Sequence, residues 1–439
     1  MRFLALLLLA SWSFPAWAGG RLLSPYRPPV VISGLPWLHE DAPVLRRLPA
    51  RLKPTFREPV WALAQHTSGG RVRFRTDSTR LAVSGTNPDT STMHHMTTVG
   101  QSGLDLYVDG SYRASAWPDK KGTVRGSWLL GSDRRMREVT VYLPLYNGIA
   151  LGDWELDEGC RVEAPSPFAL PGPVVHYGSS ITQGGCAENP GLSYPAILGR
   201  RLNTDFVNLG FSGSGLGEPA LADVIAETAP SAIVLDHWAN PSPEAYQASL
   251  APFLDILRRR HPKVPVLVTG PFWFPSEDAS PELRNGQDTK RRAARDFVAA
   301  RRKAGDHNVH FVDGLRMLGR AQGHGLVDGV HPNSLGFEGC ADGLEPALRR
   351  VLWLRNPTKL GPGGSPAAPR MPPIRRLRVL NQAPRLSRSP GTTQTSDDGA
   401  RAPRSLTGRE DQSRQYQVAP ETHRVLVWGR TCRRAIARG

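Results

Sequence analysis

A short turn rich in glycine and serine follows an apolar run near the middle of the chain. The run 174–177 leads directly into the segment 178–184, which reads GSSITQG. A strand-to-helix turn of such small residues leaves a serine hydroxyl exposed at the carboxyl edge of a parallel sheet, where open α/β sheets bind ligands. Ser180 is therefore a candidate nucleophile, with a plain turn as the alternative. The GxSxG motif of ordinary α/β-hydrolase lipases does not occur in the chain.

Two further candidate residues also follow apolar runs. Gly213 lies in the segment 208–215, NLGFSGSG, which matches neither the GxGxxG nor the Walker phosphate-binding pattern. Because glycine has no side chain, its backbone N–H can approach an oxyanion closely. Asn240 follows the run 232–235 and can donate its side-chain amide to the same oxyanion, although Asn is also common in loops.

Asp328 and His331 stand three residues apart just before the last helical pattern. In a loop, this spacing lets the carboxylate fold back onto the imidazole, fix its tautomer and stabilise the imidazolium that forms when a serine loses its proton. The chemistry indicated is acyl transfer without a metal or an organic cofactor. His94 and His95 could form a metal pair, but no third ligand has suitable spacing, and we expect a polar loop that lines the cleft.

Taken in order, these segments resemble the four sequence blocks of the SGNH (GDSL) hydrolase superfamily, and the resemblance covers about half the chain. It implies that Ser180 is the nucleophile and that Asp328 and His331 complete its triad. It also implies an oxyanion hole formed by the N–H of Ser180, the N–H of Gly213 and the amide of Asn240. The implied activity is that of a carboxylic ester hydrolase.

Two residues depart from the family pattern, and a second motif extends it. Ser179 replaces the usual Asp of the GDS motif, and Pro241 follows Asn240 where Asp is common. The segment 103–107, GLDLY, is similar to the GxDLY signature of a small domain that precedes SGNH esterase domains. A role for Asp105 in strand packing is the alternative.

The two-domain layout resembles bacterial carbohydrate O-acetyl esterases, which implies a short-acyl, carbohydrate-linked ester as substrate. Two alternatives stay open. One is a lipase or lysophospholipase, and the other is a carbohydrate-binding protein whose hydrolase domain has decayed.

Residues 173–355 alternate between short apolar runs and longer amphipathic stretches, which predicts a parallel sheet with helices on both faces. The expected fold is a flavodoxin-like three-layer α/β/α SGNH hydrolase domain. The predicted strands are 174–177, 206–208, 232–235, 264–269 and 309–312. The predicted helices are 194–202, 219–228, 243–260, 289–303 and 336–353.

Residues 19–172 show the period of two that is typical of strands, in the runs 71–75, 104–108 and 137–143. The dipeptides Asp109-Gly110 and Asn147-Gly148 predict type I′ hairpins, because both central positions of that turn need positive φ. Helical periodicity is scarce, so this region is expected to form a β-sandwich or jelly-roll domain.

The ends of the chain have other compositions. Residues 1–18 resemble a signal peptide, with Arg2, an apolar run and the cleavage pattern Ala16-Trp17-Ala18. They predict a secreted or periplasmic protein with no transmembrane segment in its mature chain. Residues 356–439 carry +11 of the net charge of +16 and are rich in Pro and Arg, which predicts a disordered tail. No nucleic-acid partner is expected, because no recognisable binding fold accompanies the basic charge.

Export permits disulfides among the four cysteines, Cys160, Cys186, Cys340 and Cys432. Four cysteines allow three pairings, and sequence alone does not choose between them. We favour a bond between Cys186 and Cys340, since both lie a few residues from the candidate catalytic segments. The cysteines show no metal-binding spacing.

Overall fold

The computed structural model describes residues 20–353. The expectations for the signal peptide, the basic tail and Cys432 therefore lie outside the described residues. Residues 20–171 form mainly antiparallel strands, and the rest of the described chain alternates strands with helices. No described helix combines the length and the apolar character that crossing a membrane requires.

Among the described residues, the N-terminal region contains eleven strands, three short α-helices and one 3₁₀ helix (Ala50–Thr55). The strands are β1 (Arg21–Leu23), β2 (Val31–Ser33), β3 (Arg71–Thr76), β4 (Arg80–Thr86), β5 (Leu104–Val108), β6 (Ser111–Ala116), β7 (Thr123–Leu129), β8 (Arg137–Tyr142), β9 (Ala150–Leu151), β10 (Trp154–Leu156) and β11 (Val162–Glu163). The helices are α1 (Leu38–Asp41), α2 (Glu58–Ala64) and α3 (Thr98–Ser102).

These strands form two antiparallel sheets that share one apolar core. One sheet has the order β1-β10-β4-β7 with β9 beside β4, and the other has the order β11-β3-β8-β5-β6 with β2 beside β3. Side chains alternate between core and solvent along β4, as expected for a strand with one buried face. Phe74 of β3 meets Trp154 of β10 with ring centroids 6.4 Å apart, so the two sheets pack face to face. The predicted β-sandwich is confirmed.

One of the two predicted hairpins is present. Asp109 (φ 51°) and Gly110 (φ 77°) make the tight turn between β5 and β6. The prediction at Asn147-Gly148 is wrong, because the preceding β8 and the following β9 lie in different sheets. Instead, the Asn147 amide is buried and donates hydrogen bonds to Asp89 O (2.7 Å) and Ser102 Oγ (3.0 Å). Asn147 therefore connects its own loop to the segment around Asp89 and to the end of α3.

The C-terminal region is a parallel five-stranded sheet flanked by helices, which confirms the predicted α/β class. Its strands are β12 (Val174–Gly178), β13 (Phe206–Gly210), β14 (Ala232–Asp236), β15 (Val266–Thr269) and β16 (Val309–Val312). Its helices are α4 (Ser180–Gln183), α5 (Tyr194–Leu202), α6 (Pro219–Ala226), α7 (Pro243–Arg260), α8 (Ser276–Ala279), α9 (Pro281–Lys303) and α10 (Ser334–Val351).

One helix begins earlier than its apolar periodicity indicates. Helix α9 begins at Pro281 instead of Thr289. Ser280 caps it by accepting a hydrogen bond from Leu283 N, and proline is favoured in the first turn because its missing N–H would have no partner there.

The strand order brings the candidate segments to one edge of the sheet. The order is β13-β12-β14-β15-β16, so β12 lies between β13 and β14. In register, Gly178 of β12 is opposite Gly210 of β13 and Asp236 of β14. The loops that follow β12, β13 and β14 therefore leave the sheet side by side, at the switch point where doubly wound folds bind their ligands.

The expected Cys186–Cys340 disulfide is wrong. Cys160, Cys186 and Cys340 are buried free thiols, and no two described cysteines are bonded to each other. Cys160 packs in the core of the sandwich, whereas Cys186 and Cys340 belong to the core of the α/β region. Each thiol fills core space as a small apolar group.

Candidate active site

Ser180 is the first residue of α4 and lies directly beyond β12. The preceding Ser179 caps this short helix, because its side chain accepts a hydrogen bond from Ile181 N (3.2 Å). Position 178 has room only for glycine, because an added Cβ would lie 2.0 Å from Thr182 Oγ1 and 2.7 Å from Asp236 O. The departure from the GDS motif thus leaves an N-cap in place, since Ser caps helices about as well as Asp.

His331 connects Ser180 to Asp328. Its Nε2 lies 2.9 Å from Ser180 Oγ, and its Nδ1 lies 2.8 Å from Asp328 Oδ2. The other oxygen of Asp328 accepts hydrogen bonds from Val330 N (3.0 Å) and His331 N (2.8 Å). The loop predicted from the Asp-x-x-His spacing therefore folds back. Ser180, His331 and Asp328 form one continuous chain of hydrogen bonds, the relay.

The charge of Asp328 follows from these contacts. Partial burial alone would raise its pKa, but the N–H groups and the His331 imidazole outweigh burial and lower the pKa to about 2. Asp328 is therefore ionised at neutral pH. An ionised acceptor at Nδ1 keeps the imidazole proton on that atom, which leaves Nε2 free to accept the proton of Ser180.

The loop that carries Gly213 packs against the Ser180 turn. A Cβ added at Gly215 would lie 2.2 Å from Gly178 O, so the two loops are in direct contact. Gly213 has φ 64°, and no atom lies within 4 Å of the position where its Cβ would be. Among the described residues, its N–H has no hydrogen-bond partner. Within the part of the chain that the structure describes, Gly213 thus has an unpaired N–H and open space where a Cβ would stand.

Asn240 is joined to the same loop. Its Oδ1 accepts a hydrogen bond from Gly215 N (3.1 Å), which orients the amide and leaves Nδ2 as a donor. The loops after β13 and β14 are therefore linked through this amide. Pro241 does not prevent that contact.

Residues outside the predicted set hold the same loops in place. Tyr146 donates from its hydroxyl to Ser180 O (3.1 Å). Gln183 accepts from Ser212 N (3.1 Å) at Oε1 and donates to Leu145 O (3.1 Å) from Nε2. Its side chain thus spans α4, the loop that carries Gly213 and the end of the sandwich region.

Arg47, from the N-terminal region, lies beneath the end of β13. Its guanidinium donates to Asn208 O (3.2 Å), to Gly210 O and to two further carbonyls, and it packs 4.8 Å from the ring centroid of Phe211. Burial lowers the pKa of Arg47 to about 9. Because Arg47 binds backbone carbonyls, which every residue has, no sequence motif could have identified it.

The buried Asp236 carboxyl group anchors α4, the helix that begins at Ser180. Asp236 Oδ2 accepts from Thr182 Oγ1 (3.0 Å) and Tyr194 OH (2.9 Å). Its Oδ1 accepts from Trp238 Nε1 (2.8 Å) and Thr269 Oγ1 (2.5 Å). Burial raises the pKa of Asp236 even though four donors oppose the shift.

Asp105 of the GLDLY segment has a defined role in the structure. It is buried, and it accepts from Ser115 Oγ (2.6 Å), Asn189 Nδ2 (3.0 Å) and Gly191 N (2.9 Å). Burial raises its pKa. Asp105 therefore joins β5 and β6 of the sandwich to the turn that follows α4, instead of acting in the relay.

His95 lies in a loop, as predicted, and this loop brings it beside the relay. Its ring centroid is 5.6 Å from that of His331. One ligand atom from each of His95, Cys186 and His331 lies within 4.8 Å of the others, so these side chains can hold a metal ion. Burial and the charges of Asp328 and Glu188 raise the pKa of the Cys186 thiol to about 12. Spacing along the sequence does not indicate this set of metal ligands, because the three residues are far apart in the chain.

Comparisons with known proteins agree with this architecture. The model of the GDSL-like lipase/acylhydrolase family matches residues 172–349, and the model of the GxDLY domain, described as the N-terminus of SGNH-hydrolase-type esterases, matches residues 24–151. A putative GDSL-like lipase from Bacteroides ovatus is 28% identical, with a TM-score of 0.68 over 74% of this chain and 96% of its own.

Two more distant structures share the fold. The salicylyl-acyltransferase SsfX3 from a tetracycline biosynthetic pathway is 24% identical, with a TM-score of 0.65 over 76% of this chain and 99% of its own. A family two carbohydrate esterase from Cellvibrio japonicus is 15% identical, with a TM-score of 0.51 over 77% of this chain and 99% of its own. No curated protein matches the sequence.

Proposed function

Because the chain belongs to the GDSL-like lipase/acylhydrolase family and is an ester hydrolase, we propose that it is a secreted serine esterase that removes short acyl groups, chiefly acetyl, from carbohydrates. The observation that carries the proposal is the unbroken contact from Ser180 through His331 to Asp328, at 2.9 and 2.8 Å. In this proposal Ser180 is the nucleophile, His331 is the general base and acid, and Asp328 orients the imidazole.

Acylation begins when Ser180 Oγ attacks the ester carbonyl carbon and its proton passes to His331 Nε2. The N–H groups of Ser180 and Gly213 and the Nδ2 of Asn240 stabilise the resulting oxyanion. The carbon–oxygen bond to the alcohol then breaks, and His331 returns the proton to that alcohol. Water enters and loses a proton to His331 as its oxygen attacks the acyl carbon. The bond between the acyl carbon and Ser180 Oγ then breaks, His331 returns the proton to Ser180 Oγ, and the carboxylic acid leaves.

The carbohydrate substrate is proposed by analogy with the fold of the Cellvibrio japonicus enzyme, which is described as a carbohydrate esterase. A second candidate, a lipase or lysophospholipase activity on longer chains, has its own support. Three aliphatic side chains next to the relay are exposed, Val327 (45%), Val330 (40%) and Leu335 (49%). Such side chains can contact a long acyl chain whose ester group is bound at Ser180.

Secretion and the domain boundaries also belong to the proposal. The signal-peptide features of residues 1–18 support export, and no nucleic-acid partner is required. We place the sandwich domain at residues 19–172 and the hydrolase domain at 173–355, in accord with family matches to 24–151 and 172–349. The tail at 356–439 is proposed to lie outside both domains.

A substrate screen tests the proposed specificity. The purified enzyme is assayed on p-nitrophenyl esters from acetate to palmitate and on acetylated xylan and mannan, with Ser180→Ala as the blank. We expect the highest kcat/KM on acetate and release of acetic acid from at least one polysaccharide. A maximum on long chains would favour the lipase candidate, and no turnover of any ester would favour a binding protein.

A further inference from the structure

Three side chains that commonly bind metals meet at the relay. His95 precedes α3, Cys186 follows α4, and His331 lies before α10. Their ligand atoms lie within 4.8 Å of one another. His95 is exposed and Cys186 is buried, so the set reaches from the surface to the base of the relay.

We infer that the His95–Cys186–His331 cluster binds Zn²⁺ and that the bound ion reversibly inhibits the esterase. The inhibitory part rests on the proposed function, because it requires His331 to be the general base. The binding part does not.

The geometry suits zinc after a small adjustment. Tetrahedral zinc holds nitrogen and sulfur ligands at about 2.0–2.3 Å, so neighbouring ligand atoms are about 3.3–3.8 Å apart. A pair at the 4.8 Å limit must therefore close by about 1.0–1.5 Å. The exposed His95 side chain can rotate toward the other two ligands. The three side chains leave the fourth position to water.

His331 already has the second contact that zinc-bound histidines make. Its Nδ1 bonds to Asp328 Oδ2 at 2.8 Å, so Nε2 is the atom that faces a metal ion. A carboxylate on the far nitrogen orients the ring and makes it a better ligand. The same Asp328 that supports proton transfer would therefore support metal binding.

The local charge and the ligand types favour a soft dication. Asp328 and Glu188 are the acidic groups that act on Cys186. Glu188 also accepts from Ser334 N (2.7 Å), which fixes its carboxylate near the catalytic loop. A thiolate and two imidazoles select zinc over Mg²⁺ or Ca²⁺, which prefer oxygen. On binding, the Cys186 thiol releases its proton to solvent and its sulfur forms the metal bond.

The bound ion would inhibit because it takes the lone pair of His331 that accepts the Ser180 proton. Nε2 lies 2.9 Å from Ser180 Oγ, and one lone pair cannot serve both partners. Zinc therefore competes with proton transfer instead of assisting it. Removal of the ion restores the base.

Calorimetry on Ser180→Ala tests binding without reference to activity. We expect Zn²⁺ to bind with one-to-one stoichiometry and Mg²⁺ not to bind. Adding Cys186→Ser or His95→Ala should weaken zinc binding at least 10-fold. Co²⁺ should give a thiolate charge-transfer absorption that Cys186→Ser removes. The matched controls are Cys340→Ser, a second buried thiol, and His94→Ala, the exposed neighbour of His95; both should bind like the parent.

Activity provides the second readout. Zinc should inhibit hydrolysis of p-nitrophenyl acetate by the unmodified enzyme, and EDTA should reverse the inhibition. In His95→Ala, inhibition is measured relative to the metal-free rate of that variant. The zinc concentration that gives half inhibition should be at least 10-fold higher in His95→Ala than in the parent. Absence of stoichiometric zinc binding, or equal affinity in His95→Ala and the parent, would overturn the inference. Because His95 is exposed, its variant remains informative even where Cys186→Ser fails to fold. Binding without inhibition would overturn the regulatory part alone, and esterase activity in metal-free Ser180→Ala would instead contradict the proposed function.

Discussion

Replacing Asn240 with alanine separates oxyanion stabilisation from substrate binding. The Asn240 amide is oriented by Gly215 N at 3.1 Å, so its Nδ2 is held in place before the oxyanion forms. Loss of one such donor costs about 2.7–4 kcal/mol of transition-state stabilisation, or about 10²–10³ in kcat. KM should change little, because the uncharged ester carbonyl in the ground state gains much less from this donor.

The same substitution removes the acceptor for Gly215 N. This N–H is partly buried, and loss of one hydrogen bond should lower the free energy of unfolding by about 0.5–1.5 kcal/mol. Urea denaturation of Asn240→Ala therefore shows whether the loss of activity reflects unfolding.

Steady-state kinetics on p-nitrophenyl acetate supply the assay for Asn240→Ala. Asn285→Ala, at an exposed position in α9, is the matched control and should retain full activity. A folded Asn240→Ala enzyme with kcat within threefold of the parent would refute the assignment of Asn240 as an oxyanion donor. A rise in KM at constant kcat would point to a role in substrate binding instead.

Four further predictions concern the groups around the relay. Asp328→Asn should lower kcat by about 10⁴, measured on p-nitrophenyl acetate, because the imidazole loses the acceptor that fixes its tautomer; an effect below tenfold would contradict the role. The pKa of Asp328 is lowered from 3.8 to about 2, so its ionised form stabilises the fold above about pH 4. This contribution to the free energy of unfolding, about 1 kcal/mol after solvent screening, is lost as the pH falls through 2. When unfolding is measured against pH, the difference in stability between the parent and Asp328→Asn should therefore shrink at low pH, and a constant difference would contradict this. Arg47→Met should lower the free energy of unfolding by about 2–4 kcal/mol in urea denaturation, because four carbonyls lose their donor; a change below 0.5 kcal/mol would be inconsistent with the buried contacts. Gly178→Ala should yield little folded protein in an expression and circular-dichroism test, because Asp236 O leaves no room for a methyl group; a normal yield of folded protein would contradict this packing.

The sequence predicted most of the sheet and the pieces of the candidate site. Buried parallel strands are continuous apolar runs, and Ser180, Gly213 and Asn240 each follow one of them. Parallel strands end at a common edge, so position along the chain was enough to bring these residues together. The Asp-x-x-His spacing supplied the rest, because it fits a loop that folds back on itself.

The residues that sequence reasoning missed act over long separations. Arg47 reaches Asn208 O and Gly210 O from the other region of the chain, and backbone carbonyls leave no residue pattern to detect. The cluster of His95, Cys186 and His331 is also a product of the tertiary fold. The hairpin at Asn147-Gly148 was predicted from the same type of dipeptide signal as the correct one, because a local signal does not tell which sheet the next strand joins.

Labelling with a fluorophosphonate probe, followed by peptide mapping in a mass spectrometer, tests the central claim most directly. We predict one adduct per chain, located on Ser180, with slower labelling in His331→Ala and none in Ser180→Ala. An adduct on a different serine, or unchanged labelling without the His331 imidazole, would contradict it.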